Sequence, residues 1–195
     1  MTDSTAQALP APRPRATGSV VVWDPLVRIF HWSFAAVIAA AWLTHEGEGS
    51  TRALHEWIGY SAATLVAVRI IWGFVGTHYA RFTEFVPGPK RLYDYLAAMA
   101  SRRERRVLGH NPLGAVMVLA LMGLSIGLAV TGFVMTHRGM TLLGLDRRPL
   151  HELHGLFGKL YVIAVPLHVL GVIFESIRHR ENLVGAMITG RKREL

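Results

Sequence analysis

Apolar residues fall in four long runs, separated by polar segments punctuated with Gly and Pro. The runs cover about Leu26–Thr44, Leu54–Gly76, Pro112–Met135 and Glu152–Ser176. Each approaches the roughly 20 residues that a helix needs to cross a bilayer. The third run holds no charge, whereas Arg69 interrupts the second and Lys159 the fourth. Pro166 removes a backbone bond from the fourth and predicts a bend there, supported by neighbouring helices. The pattern predicts an all-α, integral membrane four-helix bundle over residues 20–180. Residues 1–19 are rich in Pro, Ala, Thr and Arg without apolar periodicity and predict a disordered cytosolic arm. Residues 181–195 predict a basic cytosolic tail. The first apolar run ends without a small-residue cleavage site, so it predicts a span and not a signal peptide.

The segment between the second and third runs has a helical face of its own. Leu92, Tyr95, Leu96 and Met99 share it, just before the Arg-rich stretch Arg102–Arg106. Two readings stand: a short helix lying on the cytoplasmic leaflet, or a solvated connector.

Charge then orients the spans. Of 21 Lys and Arg, 15 lie in the stretch up to Arg28, the 77–111 loop and the stretch from Arg178 onward. Four (Arg52, Arg138, Arg147 and Arg148) lie in the other connections. The positive-inside rule puts both termini in the cytoplasm. It also accounts for the net charge of +8 without invoking nucleic acid. Composition agrees: 51% of residues are hydrophobic and 17% charged, against about 25% charged in a soluble domain.

The chain has ten His and no Cys. That excludes disulfides, cysteine-held iron–sulfur clusters, covalent C-x-x-C-H haem attachment and thiol catalysis. Any transition-metal chemistry must run on histidine. Ionisable side chains at membrane depth are costly and usually mark function, which singles out His31, His55, His154 and His168. His154 and His168 are 14 residues apart. At about 100° per residue they face the same way, roughly 21 Å apart along the axis. His151 competes with His154 but lies about 100° off the His168 face. Topology puts His31 and His168 at similar depth near the cytoplasmic face. It puts His55 and His154 together near the opposite face. Two such pairs fit two bis-histidine sites stacked across the membrane. Each His has a small residue one turn away: Ala35, Gly59, Gly158 and Ala164. A porphyrin needs that room, although helix packing favours small residues too.

Other residues carry weaker signals. Arg69 suits either the propionates of a cytoplasmic-side haem or a snorkelling cation. Lys159 suits propionates on the other side, a substrate, or a water-filled gap. His110, in Gly109-His110-Asn111-Pro112, is expected to help cap the third span, with proton transfer as the second reading. His45, His78, His137 and His179 fall at helix ends or loops and read as interface residues. Gly123 and Gly127 form a small-xxx-small face, suited to bundle packing or to a homodimer. His55-Glu56 and His151-Glu152 lack a second His at the spacing of a zinc-protease motif.

These residues together resemble the bacterial cytochrome b561 and Ni–Fe-hydrogenase b-type cytochrome family. The resemblance is carried by Phe30-His31-Trp32, by Leu54-His55-Glu56-Trp57-Ile58-Gly59-Tyr60 and by Val68-Arg69-Ile70-Ile71-Trp72. It continues through Gly109-His110-Asn111-Pro112, Leu153-His154 with His168, and the tail from Glu181-Asn182-Leu183 to Gly190-Arg191-Lys192. It implies a multi-pass protein of the bacterial inner membrane, embedded in the lipid bilayer. It implies two non-covalent b haems held by His31, His55, His154 and His168. It implies electron transfer between quinone or quinol and a redox partner: a soluble c-type cytochrome, a hydrogenase or another dehydrogenase. The chain looks more compact than the hydrogenase subunits, which points to the shorter, quinone–cytochrome branch. Two other classes remain: a His-lined metal or proton transporter, and a haem-free membrane interaction subunit.

Overall fold

A computed structural model describes residues 18–137, 139–144 and 147–194. The residues of the expected N-terminal arm, apart from 18 and 19, lie outside that range. Strand β1 (Ser19–Val21) leads into α1 (Pro25–Leu43). Asp24 caps α1: its Oδ1 accepts from the Val27 amide at 2.9 Å, and Pro25 takes a position with no amide to satisfy. Helix α2 (Ser50–Val75) returns, and a 3-10 turn (His78–Ala80), α3 (Phe82–Phe85) and α4 (Pro89–Ala100) follow. Helices α5 (Pro112–Thr136) and α6 (Arg147–Arg178) complete the bundle. Helix α7 (Leu183–Thr189) and strand β2 (Arg191–Arg193) close the chain.

Helices α1, α2, α5 and α6 are long and apolar enough to span a membrane, with mean hydropathy from 1.6 to 2.4. They match the four expected spans to within a few residues. Pro166 lies inside α6, which runs unbroken past it. The outward faces stay apolar and exposed, as at Ile71, Phe74, Ile163 and Leu170. Such a surface is stable only against lipid, and the backbone polar groups are paired inside the helices.

One end of the bundle is elaborated. There β1 pairs antiparallel with β2, placing Val20 opposite Lys192. Residues 181–194 are therefore not a free tail but a folded element pinned to the start of α1. Their closure depends on Gly190, which ends α7 in the left-handed region at φ 80°. A Cβ at Gly190 would come within 2.5 Å of the Trp23 carbonyl. Helix α4 also belongs to this sheet end. Its Tyr95 is buried and donates its hydroxyl to Glu175 of α6 at 3.0 Å. The segment forms a helix docked on the bundle through Tyr95, a placement compatible with either reading of it.

Candidate functional site

The bundle brings the four spotlighted histidines together in pairs. His31 of α1 faces His168 of α6 with ring centres 6.5 Å apart. His55 of α2 faces His154 of α6 at 6.3 Å. Two imidazoles on opposite sides of one metal stand about 6 Å apart, given metal–nitrogen bonds of about 2 Å. The two pairs lie at different depths, as the 14-residue step along α6 requires. His151, the competitor of His154, is exposed near the start of α6.

Local contacts aim the rings. His55 Nδ1 lies 3.0 Å from the Ala41 carbonyl and 3.2 Å from the Thr44 hydroxyl. His154 Nδ1 lies 2.9 Å from the Thr131 hydroxyl. These bonds occupy Nδ1 and leave Nε2 for another ligand. Gly132 lies beside the His154 ring, where a Cβ would be in van der Waals contact with its Cε1 at 3.4 Å. His31 differs: its Nδ1 is buried without a partner. Beside the His55–His154 pair there is room, since a Cβ at Gly59 or Gly158 would meet nothing within 4 Å. Paired imidazoles, an orphaned buried nitrogen and open space beside Gly59 and Gly158 all fit a planar metal macrocycle. Among the described residues, no three His, Asp or Glu side chains gather into a metal-holding cluster.

Arg69 does not reach out to the interface as a snorkelling cation would. It is 4% exposed and donates from Nη2 to the Ala80 carbonyl at 3.2 Å. Its guanidinium sits over the Phe82 and Phe85 rings, and Nη1 is buried without a partner. A buried cation with an unmet donor suits an anionic group. Lys159 is exposed on α6, with no hydrogen bond or ion pair among the described residues.

His110 corrects one expectation. Asn111, not His110, caps α5: its Oδ1 accepts from the Gly114 amide at 2.6 Å. His110 instead packs between Trp23 and Phe85, 4.8 Å from each ring. Burial pushes its pKa down to about 3, and Arg69 and Lys192 add to that effect. Lys192 Nζ lies over the Trp23 ring, 5.6 Å from its centre. Of the two uses expected for the Gly123–Gly127 face, packing within the bundle is the one Gly127 serves. A Cβ at Gly127 would meet the Phe157 ring at 2.7 Å, so Gly127 serves packing of α5 on α6 within one chain.

Sequence reasoning missed Asp24, the hub of the sheet end. It accepts from Trp72 Nε1 at 3.0 Å and from the Thr77 hydroxyl at 2.5 Å, besides capping α1. Burial works to raise its pKa, but bonds from Thr77, Val27 and Trp72 overcome it and hold the carboxyl low. Its position just before Pro25 was a helix-start signal that pointed to the cap.

The family model for prokaryotic cytochrome b561 matches residues 22–190. This chain belongs to the prokaryotic cytochrome b561 family. As a cytochrome b561 it is a multi-pass bacterial membrane protein that binds haem b and carries electrons. Proteins similar to this cytochrome include three that bear the name Ni/Fe-hydrogenase B-type cytochrome subunit, each prefixed "Probable". That of Bradyrhizobium diazoefficiens is 26% identical over 230 positions, covering 97% of this chain and 93% of the relative. That of Cupriavidus necator is 29% identical, covering 87% and 85%. One from Escherichia coli, named for Ni/Fe-hydrogenase 1, is 24% identical, covering 87% and 88%. No solved structure matches. The Bradyrhizobium alignment runs to 230 positions and this chain to 195 residues. The relative therefore carries internal segments that this cytochrome lacks.

Proposed function

We propose that the chain is a di-haem b electron carrier, working between the quinone pool and a redox partner protein. The observation that supports this most is the pair of facing imidazoles repeated at two depths of one bundle. In this reading His31 and His168 hold one haem b, and His55 and His154 hold the other. Haem b supplies a one-electron Fe(III)/Fe(II) couple at each depth. Two imidazoles per level leave no open position for oxygen, which favours electron transfer over oxygen activation. Ala41 and Thr131 fix the tautomer and aim of His55 and His154. Arg69 offers its unmet Nη1 to a propionate at the sheet end. Trp23, His110 and Phe85 pack together at that end, and in this reading they limit water access to the His31–His168 pair. Quinone or quinol exchanges electrons and protons at one face, and a redox protein docks at the other. The names of the relatives support a hydrogenase as that partner. The segments this chain lacks support a smaller partner, a soluble c-type cytochrome or another dehydrogenase.

Reduced-minus-oxidised spectra of the purified protein, with haem quantified per chain, test this reading. Two haem b per chain are expected. His154→Ala loses one, His168→Ala loses the other, and His151→Ala loses neither. A stoichiometry of one, or loss in His151→Ala in place of His154→Ala, overturns the assignment.

A further inference from the structure

A groove of about 650 Å³ opens on the outer surface between the first turns of α1 and the end of α7. Pro25, Arg28, Ile29, Trp32, Ser33 and Ile188 line it. Its position is set by the fold, because β1–β2 pairing brings α7 alongside the start of a membrane span. Arg28 lies at the top, and Trp32 one turn, about 6 Å, deeper. Ile29, Trp32 and Ile188 are exposed large apolar side chains. Helix α7 shows Val184 and Ile188 outward and tucks Ala186 inward, an apolar edge suited to a membrane surface.

Arg28 gives the groove its polarity. Its Nη1 donates to the Ile188 carbonyl at 2.7 Å, and its Nε is buried without a partner. No carboxylate pairs with it among the described residues. Arg180 and Arg191 add positive charge at the same end, where the chain turns out of α6 and into β2. A cation at headgroup depth above an apolar trough is complementary to an amphiphile with an anionic head. A free phosphate would use Arg28 but none of the trough. A zwitterionic lipid would use the trough but would bring its own ammonium to the cationic end, where the arginine disfavours it.

We propose that this groove holds one anionic phospholipid, its phosphate against Arg28 and an acyl chain along Ile29 and Trp32. The bound lipid also packs behind the His31–His168 pair, since the Trp32 ring meets His31 edge-on at 5.0 Å. The proposal needs neither haem nor quinone, so its failure is separate from any failure of the electron-transfer reading.

The test is native mass spectrometry of the full chain in mild detergent, offered phosphatidylglycerol and phosphatidylethanolamine in equal amounts. One phosphatidylglycerol per chain is expected to survive, favoured about fivefold, the worth of one interfacial arginine. Arg28→Gln brings the ratio to about one by the same arithmetic. Arg105→Gln, basic and at the same end but outside the groove, leaves the preference intact. Ser33→Phe fills the trough with Arg28 in place and expels the lipid; it decides the matter if Arg28→Gln unfolds in a thermal melt. The proposal is overturned by equal retention of the two lipids, or by equal losses in Arg105→Gln and Arg28→Gln. It is also overturned if excess inorganic phosphate abolishes the preference, if Ser33→Phe binds lipid as the parent does, or if the retained molecule is an isoprenoid quinone.

Discussion

The two ends of this bundle solve the same problem, closing helix termini at a membrane surface, by opposite means. At the far end, short connections join α1 to α2 and α5 to α6, and the ion pairs there are open to water. Arg148 and Glu152 pair at 3.3 Å with side chains 90% and 67% exposed. At the sheet end, several charges are buried and hydrogen-bonded, with Glu104 Oε2 left without a partner. Glu181, 6% exposed, accepts from Arg106 Nε at 2.9 Å and Nη2 at 3.0 Å, and from the Arg193 amide at 3.1 Å. Arg106 further donates to the Glu194 and Arg193 carbonyls. Arg178 holds Glu104, whose side chain is 1% exposed. A charge count treats both ends as basic or less basic surface. Their energetics differ, because the same Arg–Glu pair is worth little in water and a great deal when breaking it strands a buried charge.

That contrast is breakable. The largest effect belongs to Glu181→Ala, which leaves Arg106 buried without its carboxylate. It should cost about 4 kcal/mol, read from thermal unfolding in detergent. Next comes pH. His110 is neutral in the fold and its pKa is lowered to about 3 from 6.5, so below pH 6.5 the unfolded chain binds the proton more readily. Stability should therefore fall on acidification from 6.5 toward 3, with a slope of up to about 1.4 kcal/mol per pH unit. His110→Phe, which keeps the stack between Trp23 and Phe85, should flatten that slope; an unchanged slope would place the acid sensitivity elsewhere. Third, Gly127→Ala forces a Cβ against the Phe157 ring and should cost about 2 kcal/mol. Gly123→Ala, with open space around it, should be near neutral; a dimer lost on Gly123→Ala would assign that residue to an intermolecular face. The smallest effect is Glu152→Gln at the far end, expected within about 0.5 kcal/mol. A cost near that of Glu181→Ala would erase the contrast.

The spans were legible because a bilayer imposes a length, and Pro112–Thr136 could hardly be anything else. The histidine pairs were legible because His154 and His168 sit on one helix at a spacing that fixes their relative direction. What stayed hidden was set by closure over long sequence separations. Nothing local in Val20 announces Lys192 as its neighbour, and nothing in Arg106 announces Glu181. A run of arginines reads as a solvated, lipid-facing stretch whether or not two glutamates are folded underneath it. His110 misled for the same reason: next to Asn111-Pro112 it looked like part of a helix start, while its ring was claimed by Trp23 and Phe85 from other elements. The partners of His55 and His154, the Ala41 carbonyl and the Thr131 hydroxyl, carry no signal of their own, since every residue has a carbonyl and threonine is common in helices.

The antiparallel match of Ser19–Val21 with Arg191–Arg193 has a consequence for biosynthesis. Chains leave the ribosome N-terminus first, so β1 must wait through the making and insertion of all four spans before β2 exists. Until then Trp23 lacks the lysine that lies over it, and Glu181 lacks the Arg193 amide. The end of the molecule nearest His31 and His168 is thus the last to shut. Any group that enters between His31 and His168 from that side has the interval between the insertion of α6 and the pairing of β2 in which to do so.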